Sequence, residues 1–424
     1  MVTEKDLKAL PPQLRAVVLA ELAKPMPRGR GALACRQPLR FLDQDTVDTG
    51  QGPGPHLVFF GYYPYATVIK RAIALRAAAP RAHLTFIGCC IREDTEILRW
   101  FDQAYEVEDY HELFGLFQSL RVHALQLTVP PFWPGLLAVC GATNTRLVVD
   151  LVDTALFHST GDPLLREMER FVLSRAFSIV HKLPQEGLDR LRGAYGLEAP
   201  AHLLHSLPWG DIFVAQRPKD PDRPEVLYCG GVMPRRSAMR AGYGHHIFDP
   251  LITATADTGL KLSFFVNQNA RQMFWEEHAE YQDMAQRLAH FGFRRGVPFH
   301  QLPQAIAGAH FGLLYDNLEM TRLQPEAFRY NMSSKIFSYM EAGLPLLAYS
   351  RFEYICQLIE EHGFGLVYDV SRPQDLARVI ARADYAALQA GVERFRRGHE
   401  LTASNVEEQL QAYGLAGRGA EAAA

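Results

Sequence analysis

The stretch from Tyr330 to Ser350 contains a lysine whose position suits anion binding. Its letters, YNMSSKIFSYMEAGLPLLAYS, predict a loop, a short helix, a glycine stop and a buried strand. Asn331, Ser333 and Ser334 are residue types that cap a helix start through side-chain oxygens. Lys335 falls in the first helical turn, where the helix dipole disfavours a cation. An anion over the helix end, held by free N–H groups and the ammonium, would explain that lysine. A solvated lysine on a surface helix is the alternative, and both readings stay open at this point.

A second polar pair follows the predicted strand TRLVVDLVD. Asp150 and Asp153 flank the end of this strand, and His158 follows shortly after. Open α/β sheets place ligands at the carboxyl ends of their strands, so we expect Asp153 and His158 to face one crevice. A carboxylate and an imidazole in such a place can do acid–base work. Two polar residues that cap a loop are the structural alternative.

Length and composition restrict the class of protein. A chain of 424 residues predicts two domains, and 48% hydrophobic with 21% charged residues is typical of a soluble globular protein. A formal net charge of −3 gives no general attraction to nucleic acid. The six cysteines lack metal-site spacing and indicate free thiols in a reducing compartment. The amino terminus has no signal-peptide core and no run approaches a membrane span, so we expect a cytoplasmic protein, with peripheral membrane contact left open.

Strand and helix signals alternate twice along the chain, which predicts two parallel α/β domains. The charged, proline-rich segment RPKDPDRP is the best boundary between them. The predicted organisation is an N-terminal helical and linker extension (1–55), a first α/β domain (56–215), a second one (216–400), and a C-terminal helix with a disordered tail (401–424). The extension is interpreted as a structural cap, with oligomerisation or lipid binding as alternatives.

Several motifs occur in an order that resembles GT-B glycosyltransferases, especially the large retaining family that uses nucleotide sugars. In the second half these are VLYCGGVMPRRS, QLPQAIAGAHFGLLYDN, SSKIFSYMEAGLPLLAY and HGFGLVYDVSRPQDLARVI. In the first half they are EMERFVLSRAFSIVHKLPQEGLDRLRGAYG and HSLPWGDIF. The resemblance covers roughly residues 56–410. It implies two Rossmann-like parallel-sheet domains facing across a cleft, with the donor bound by the second.

The resemblance also implies which residues hold the donor diphosphate. Gly231 stands where the family has an arginine, Arg236 stands where it has a lysine, and Arg235 is placed to supply the missing charge. No metal or other cofactor is expected, because the cations belong to the protein. The expected donor-binding set is Gly230, Gly231, Arg235, Arg236, Tyr330, Asn331, Ser333, Ser334, Lys335 and Ser338.

Two departures from the family pattern fall within this set. The family's pair of glutamates would lie at Tyr330 and Ser338. Ser338 can offer the nucleotide ribose only a weaker hydrogen bond than a carboxylate does, and Tyr330 is no close substitute at the transferred sugar. Glu341 lies one turn further along, so its side chain should point elsewhere.

The predicted function is transfer of a sugar from a UDP- or GDP-linked donor to a glycan, lipid or other acceptor, in cell-surface polysaccharide or glycoconjugate synthesis. Asp153 and His158 are the candidates at the reacting hydroxyl, and retention of configuration is implied by the family alone. The alternative is a catalytically altered or inactive relative that binds nucleotide or glycan, or supports a partner transferase. A GT-B enzyme of another type, such as a sugar-nucleotide epimerase, is a third reading. The sequence indicates neither the acceptor nor the oligomeric state.

Overall fold

The computed structural model describes residues 2–26, 46–48, 53–62, 64, 66–89, 91, 97–158, 162–215, 219, 224–234, 238, 244–266, 275–317, 320–321, 323–369, 375–402 and 406–415. Within these ranges, no helix has both the length and the apolar character needed to cross a membrane.

The strands are short, as expected for a parallel α/β protein. In chain order they are β1 Thr46–Asp48, β2 Pro53–Gly61, β3 His83–Gly88, β4 Gln103–Glu106, β5 Ala124–Val129, β6 Arg146–Leu151, β7 Ser178–His181, β8 Ala201–Leu203, β9 Glu225–Gly230, β10 Lys261–Val266, β11 Phe291–Arg295, β12 Phe311–Leu314, β13 Leu346–Tyr349 and β14 Gly365–Tyr368.

Helices separate most of these strands. They are α1 Pro12–Leu22, α2 Ala66–Ala78, α3 Tyr110–Ser119, α4 Trp133–Gly141, α5 Ala155–His158, α6 Pro163–Leu173, α7 Gln185–Tyr195, α8 Asp249–Ala254, α9 Ala279–Arg287, α10 Leu302–Ile306, α11 Pro325–Arg329, α12 Lys335–Glu341, α13 Glu353–His362, α14 Asp375–Ala381, α15 Tyr385–Gly398 and α16 Glu407–Ala412. Short 3₁₀ turns occur at Ile97–Arg99, Gly210–Ile212, Gly244–His246 and Trp275–His278.

The chain forms two compact units, each built on one sheet. The first unit is Met1–Ser206 together with Thr402–Ala424, and the second is Leu207–Leu401. In the first unit the strand order is β4-β3-β2-β5-β6-β7-β8, all parallel, and β1 pairs antiparallel with β2. In the second the order is β11-β10-β9-β12-β13-β14, also all parallel. The predicted fold class, two Rossmann-like parallel-sheet domains, is confirmed for each unit.

The bounds of the two units differ from those predicted from the linker composition, at Leu207 and at Thr402. The second unit already begins at Leu207, because Glu341 accepts hydrogen bonds from Trp209 N through its carboxylate (2.8 Å) and from Val214 N through its carbonyl (2.9 Å). The segment 402–424 belongs to the first unit. There α16 lies against α2, and Gln409 Nε2 donates to the Arg71 carbonyl (2.9 Å).

The amino-terminal helix α1 packs on the first unit. Its Leu14 and Val18 are fully buried, and the helix lies against α4 and α6. Covering apolar surface in this way agrees with the interpretation of the N-terminal segment as a structural cap. Most of the linker between this helix and β1 lies outside the described residues.

A buried ion pair ties α2 to an inner strand of the first sheet. Arg71 is 5% exposed, its guanidinium lies 3.5 Å from Asp150 Oδ2, and its Nη1 donates to the His205 carbonyl (2.9 Å). Gln126 Nε2 donates to the same carboxylate oxygen (3.0 Å). Burial raises the pKa of Asp150, and the neighbouring guanidinium opposes that rise. Asp150 is therefore part of the interior framework.

We expect Arg71→Met to destabilise the protein by about 3–5 kcal/mol, since it leaves the Asp150 carboxylate buried without its cation. The matched control is Arg76→Met on the same helix, because Arg76 pairs with Asp102 (2.7 Å) at side-chain exposures of 36% and 33%. Loss of that exposed pair should cost about 1 kcal/mol or less. Urea unfolding curves measure both values. Equal losses in the two variants would contradict the role of the buried pair.

Candidate functional site

The second sheet contains a topological switch point. From β9 the chain proceeds outward through β10 and β11 on one side, whereas β12, β13 and β14 build the other side. The parallel neighbours β9 and β12 lie at this reversal, and β9 ends at Gly230. Open α/β sheets form a crevice for ligands outside the carboxyl ends of such a pair.

Lys335 reaches the end of β9 from the start of α12. Its Nζ lies 5.5 Å from the centre of the Tyr228 ring, within the range of a cation–π contact. Gly230 has a φ of +151°, and a Cβ placed there would lie 2.4 Å from Lys335 Cε. The Tyr228 hydroxyl donates to the Gly231 carbonyl (3.0 Å). The structure therefore brings Lys335, Gly230 and Gly231 together, and a glycine at 230 makes room for the lysine.

The serines before α12 cap the helix more weakly than the sequence predicts. Ser334 occupies the N-cap position without a side-chain capping bond, and Ser333 Oγ accepts only a long bond (3.4 Å) from Lys335 N. The helix is seven residues long. Gly343, with a φ of +72°, takes the predicted left-handed position after it. The side chains of these serines therefore satisfy little of the backbone at this helix start.

The two positions of the family's glutamates differ in accessibility. Tyr330 is 2% exposed and lies beneath the Arg329 guanidinium, 5.2 Å from its ring centre. Ser338 is half-buried and stands three residues after Lys335, on the same face of α12. Asn331 is also half-buried. Tyr330 thus presents little surface to a ligand, whereas Ser338 remains on the lysine side of the helix.

Asp153 and His158 lie close together at the carboxyl end of β6 in the first unit. His158 Nε2 is 3.7 Å from Asp153 Oδ1, and Lys182 Nζ is 3.4 Å from the same oxygen. His158 Nδ1 lies 3.1 Å from the Thr154 carbonyl. Because a carbonyl only accepts, Nδ1 carries the hydrogen in that bond, which leaves Nε2 to take up a proton beside Asp153.

Glu169 holds the turn that carries His158 through the backbone N–H groups of that turn. Its carboxylate accepts hydrogen bonds from Ala155 N and Leu156 N (both 3.0 Å) and from the Tyr195 hydroxyl (2.6 Å). Burial raises the pKa of Glu169, and these hydrogen bonds oppose the rise. A buried acceptor at the first N–H groups of α5 thus sets the direction of the turn.

The comparisons with known proteins agree with this fold. Residues 259–402 match the family described as glucosyltransferase 3-like, C-terminal domain. No protein of curated function matches the sequence. HepE of Anabaena, solved in complex with UDP-glucose, is structurally similar with a TM-score of 0.59 at 11% identity, over 85% of this chain and 100% of that one. The chain has the GT-B fold, and its residues 259–402 resemble the C-terminal domain of a glucosyltransferase family.

Two other solved structures have the same architecture. Sucrose-phosphate synthase from Thermosynechococcus elongatus is similar with a TM-score of 0.55 at 14% identity, over 87% of this chain and 100% of that one. The UDP-forming α,α-trehalose-phosphate synthase from Burkholderia xenovorans is similar with a TM-score of 0.55 at 12% identity, over 85% of this chain and 100% of that one. At these identities the likeness establishes the fold of this chain.

Two titratable residues near these sites were not predicted from the sequence. Lys182 follows β7 and approaches Asp153, and the half-buried Asp316 follows β12 at the switch point. Burial raises the pKa of Asp316 to about 7, although Lys335 acts in the opposite direction. A polar residue within two positions of the end of a buried strand was the available signal for both. Arg235 and Arg236, predicted to hold phosphates, lie outside the described residues.

We expect Gly230→Ala to weaken binding of a nucleotide-sugar donor at least tenfold, because the new Cβ would displace the Lys335 side chain and strain the backbone. Gly308→Ala is the matched control in the same unit, since a Cβ there meets nothing within 4 Å. Isothermal titration calorimetry measures the two dissociation constants. Unchanged affinity in Gly230→Ala would contradict the placement of the donor beside this glycine.

Proposed function

We propose that this glycosyltransferase transfers a hexose from a UDP-linked donor to a glycan or lipid-linked acceptor, as in the synthesis of surface polysaccharides or glycoconjugates. The observation that carries the proposal is the Lys335 ammonium beside Gly230 at the β9/β12 switch point. UDP is preferred over GDP as the donor nucleotide because the HepE structure contains UDP-glucose.

The donor diphosphate is proposed to lie over Gly230 and Gly231. When the glycosidic bond to the donor breaks, negative charge develops on the leaving diphosphate. Lys335 is proposed to stabilise that charge directly, and the glycines allow the phosphates to approach the backbone closely. Arg235 and Arg236 are proposed to add guanidinium contacts, and Ser333, Ser334 and Asn331 polar contacts. Since these cations belong to the protein, the reaction is proposed to need no metal.

Asp153 and His158 are proposed to act at the acceptor hydroxyl. Their separation of 3.7 Å, with Nε2 of the imidazole available for a proton, suits the removal of a hydroxyl proton during attack. Lys182, with its Nζ 3.4 Å from Asp153 Oδ1, is proposed to hold the carboxylate in place. Retention of the donor's anomeric configuration is proposed by analogy with the family, and proton NMR of the product tests it.

A second candidate function is nucleotide or glycan binding without turnover. It is favoured by one observation, the buried Tyr330 and the uncharged Ser338 at the positions of the family's two glutamates. Such a protein would support a partner transferase. The two candidates share the donor site and differ only in the chemical step.

Thermal-shift measurements with UDP and with GDP, followed by a donor-hydrolysis assay with chelator present, distinguish the two candidates. A transferase is expected to be stabilised by UDP and to release UDP from UDP-glucose slowly even without acceptor. Stabilisation with no release of UDP under any acceptor condition would favour the binding protein. No stabilisation by either nucleotide would contradict both.

We expect Lys335→Ala to lower kcat/KM for the donor by about 100- to 1000-fold, since one charge that stabilises the leaving group is lost. Lys261→Ala is the control, because Lys261 lies at the amino end of β10 and pairs with Glu225 (3.1 Å), away from the switch point. Circular dichroism confirms that both variants fold. Wild-type turnover in Lys335→Ala would remove this lysine from the mechanism.

We expect Asp153→Asn to lower kcat by about 100-fold or more while the dissociation constant for UDP stays within about twofold, because acid–base groups act on the chemical step. Asp189→Asn, an exposed carboxylate on α7, is the control in the same unit. Steady-state kinetics and calorimetry give the two values. A loss of UDP affinity equal to the loss of kcat would assign Asp153 to donor binding instead.

A further inference from the structure

The ladder between β9 and β12 ends early, at the side of the sheet where the crevice lies. β9 pairs with β10 along its whole length, Glu225–Gly230. Within the described residues it pairs with β12 at only two positions, Val226 and Leu227. The next hydrogen bond of a parallel ladder in this register would join Cys229 N directly to the Leu313 carbonyl. The two strands therefore separate at their carboxyl ends before that bond can form.

The hydroxyl of Tyr339 occupies the place of that hydrogen bond. It accepts from Cys229 N (2.9 Å) and donates to the Leu313 carbonyl (2.9 Å). A phenol can do both at once, because its oxygen carries one hydrogen and has lone pairs that accept. Tyr339, Cys229 and Leu313 are all buried. The oxygen of Tyr339 thus satisfies two interior backbone groups while it holds the two strands apart.

A glycine in β12 makes room for the Tyr339 ring. A Cβ placed at Gly312 would lie 2.2 Å from Tyr339 Cγ and 2.5 Å from both Cδ atoms, closer than real Cβ atoms come. Glycine inside a strand weakens it and often marks the close approach of another group. Here that group is the phenol ring, which packs on Gly312 and brings the hydroxyl to Leu313 and Cys229. The insertion therefore depends on two separate stretches of the sequence.

Tyr339 lies on the helix that carries Lys335. Both residues belong to α12, and positions four apart lie on the same face of a helix. The Lys335 stem packs at Gly230, the residue after Cys229, where a Cβ would lie 2.4 Å from Lys335 Cε. The phenol therefore anchors α12 to β9 and β12 one turn away from the ammonium. The separated end of β9 is the surface on which the lysine lies.

We propose that Tyr339 is a positioning residue, which places Lys335 beside Gly230 by holding β9 and β12 apart. The inference rests on the donor site of the proposed function, since Lys335 is the cation proposed to contact the diphosphate. Without the hydroxyl, Cys229 N and the Leu313 carbonyl lose their partner, and buried backbone groups need one. They regain it by bonding to each other, which closes the strand ends and moves the lysine stem away from Gly230.

Isothermal titration calorimetry with UDP tests this role. Tyr339→Phe keeps the ring on Gly312 and removes only the oxygen, so we expect the dissociation constant for UDP to rise by about tenfold or more. Tyr385→Phe is the matched control. The Tyr385 hydroxyl donates to the His310 carbonyl (2.9 Å), which precedes the amino end of β12, and its loss should change the constant by about twofold or less. Circular dichroism shows whether the variants fold.

Two further variants separate a positioning role from a general loss of stability. In the double variant Lys335→Ala/Tyr339→Phe the two losses of UDP affinity should not multiply, because the tyrosine acts through the lysine. Tyr339→4-aminophenylalanine restores a donor and an acceptor at the same atom position, so we expect it to bind UDP within about threefold of the wild type. This variant also decides the matter should Tyr339→Phe fail to fold.

Each outcome supports or overturns the role of Tyr339. Wild-type UDP affinity in Tyr339→Phe, losses that multiply in the double variant, or no recovery in Tyr339→4-aminophenylalanine overturns that role and leaves the donor site intact. No binding of UDP by the wild type overturns the proposed function, and this inference with it.

Discussion

The second unit depends on keeping one positive charge at the carboxyl end of a buried sheet. An ammonium loses hydration in such a place, so it needs compensation from its surroundings. Here the compensation is diffuse: the Tyr228 ring lies 5.5 Å from Lys335 Nζ, and the half-buried Asp316 acts through space. The absence of a side chain at Gly230 lets the lysine stem pack there. A charge held in this way stays available to an incoming anion, which a close ion pair with a carboxylate would prevent.

The strands that form this crevice could be predicted well from sequence, whereas several peripheral elements could not. The apolar run EVLYCG has the bounds of β9 as observed, because a buried parallel strand reads as a continuous hydrophobic segment. Strand Gln103–Glu106 was not predicted, since its four residues include polar ones and it forms by pairing at the sheet edge with β3. Helix Tyr385–Gly398 was also missed, although Leu388, Val392 and Phe395 are buried at helical spacing, so the signal was present.

The site could be predicted only where a motif lies within one continuous stretch. Lys335 stood out because its helix start is local in sequence. Asp316 and Tyr228 belong to strands about ninety residues apart, and their relation to Lys335 arises only when β9 and β12 become neighbours. The predicted side-chain cap on α12 does not form. Ser334 is a residue type that caps helices, but the backbone around it does not direct its side-chain oxygen to the first N–H groups. Residue type predicts what a group can do, and sheet order decides which groups meet.

The replacement of the family's glutamates changes how the donor has to be recognised. A carboxylate at position 338 would contribute a charge-assisted hydrogen bond to the ribose, and a serine contributes a neutral one of roughly half that strength. With Tyr330 buried, the sugar side also lacks a carboxylate from that position. In the proposed donor site a larger share of recognition therefore falls on the diphosphate, and among the described residues that means on Lys335.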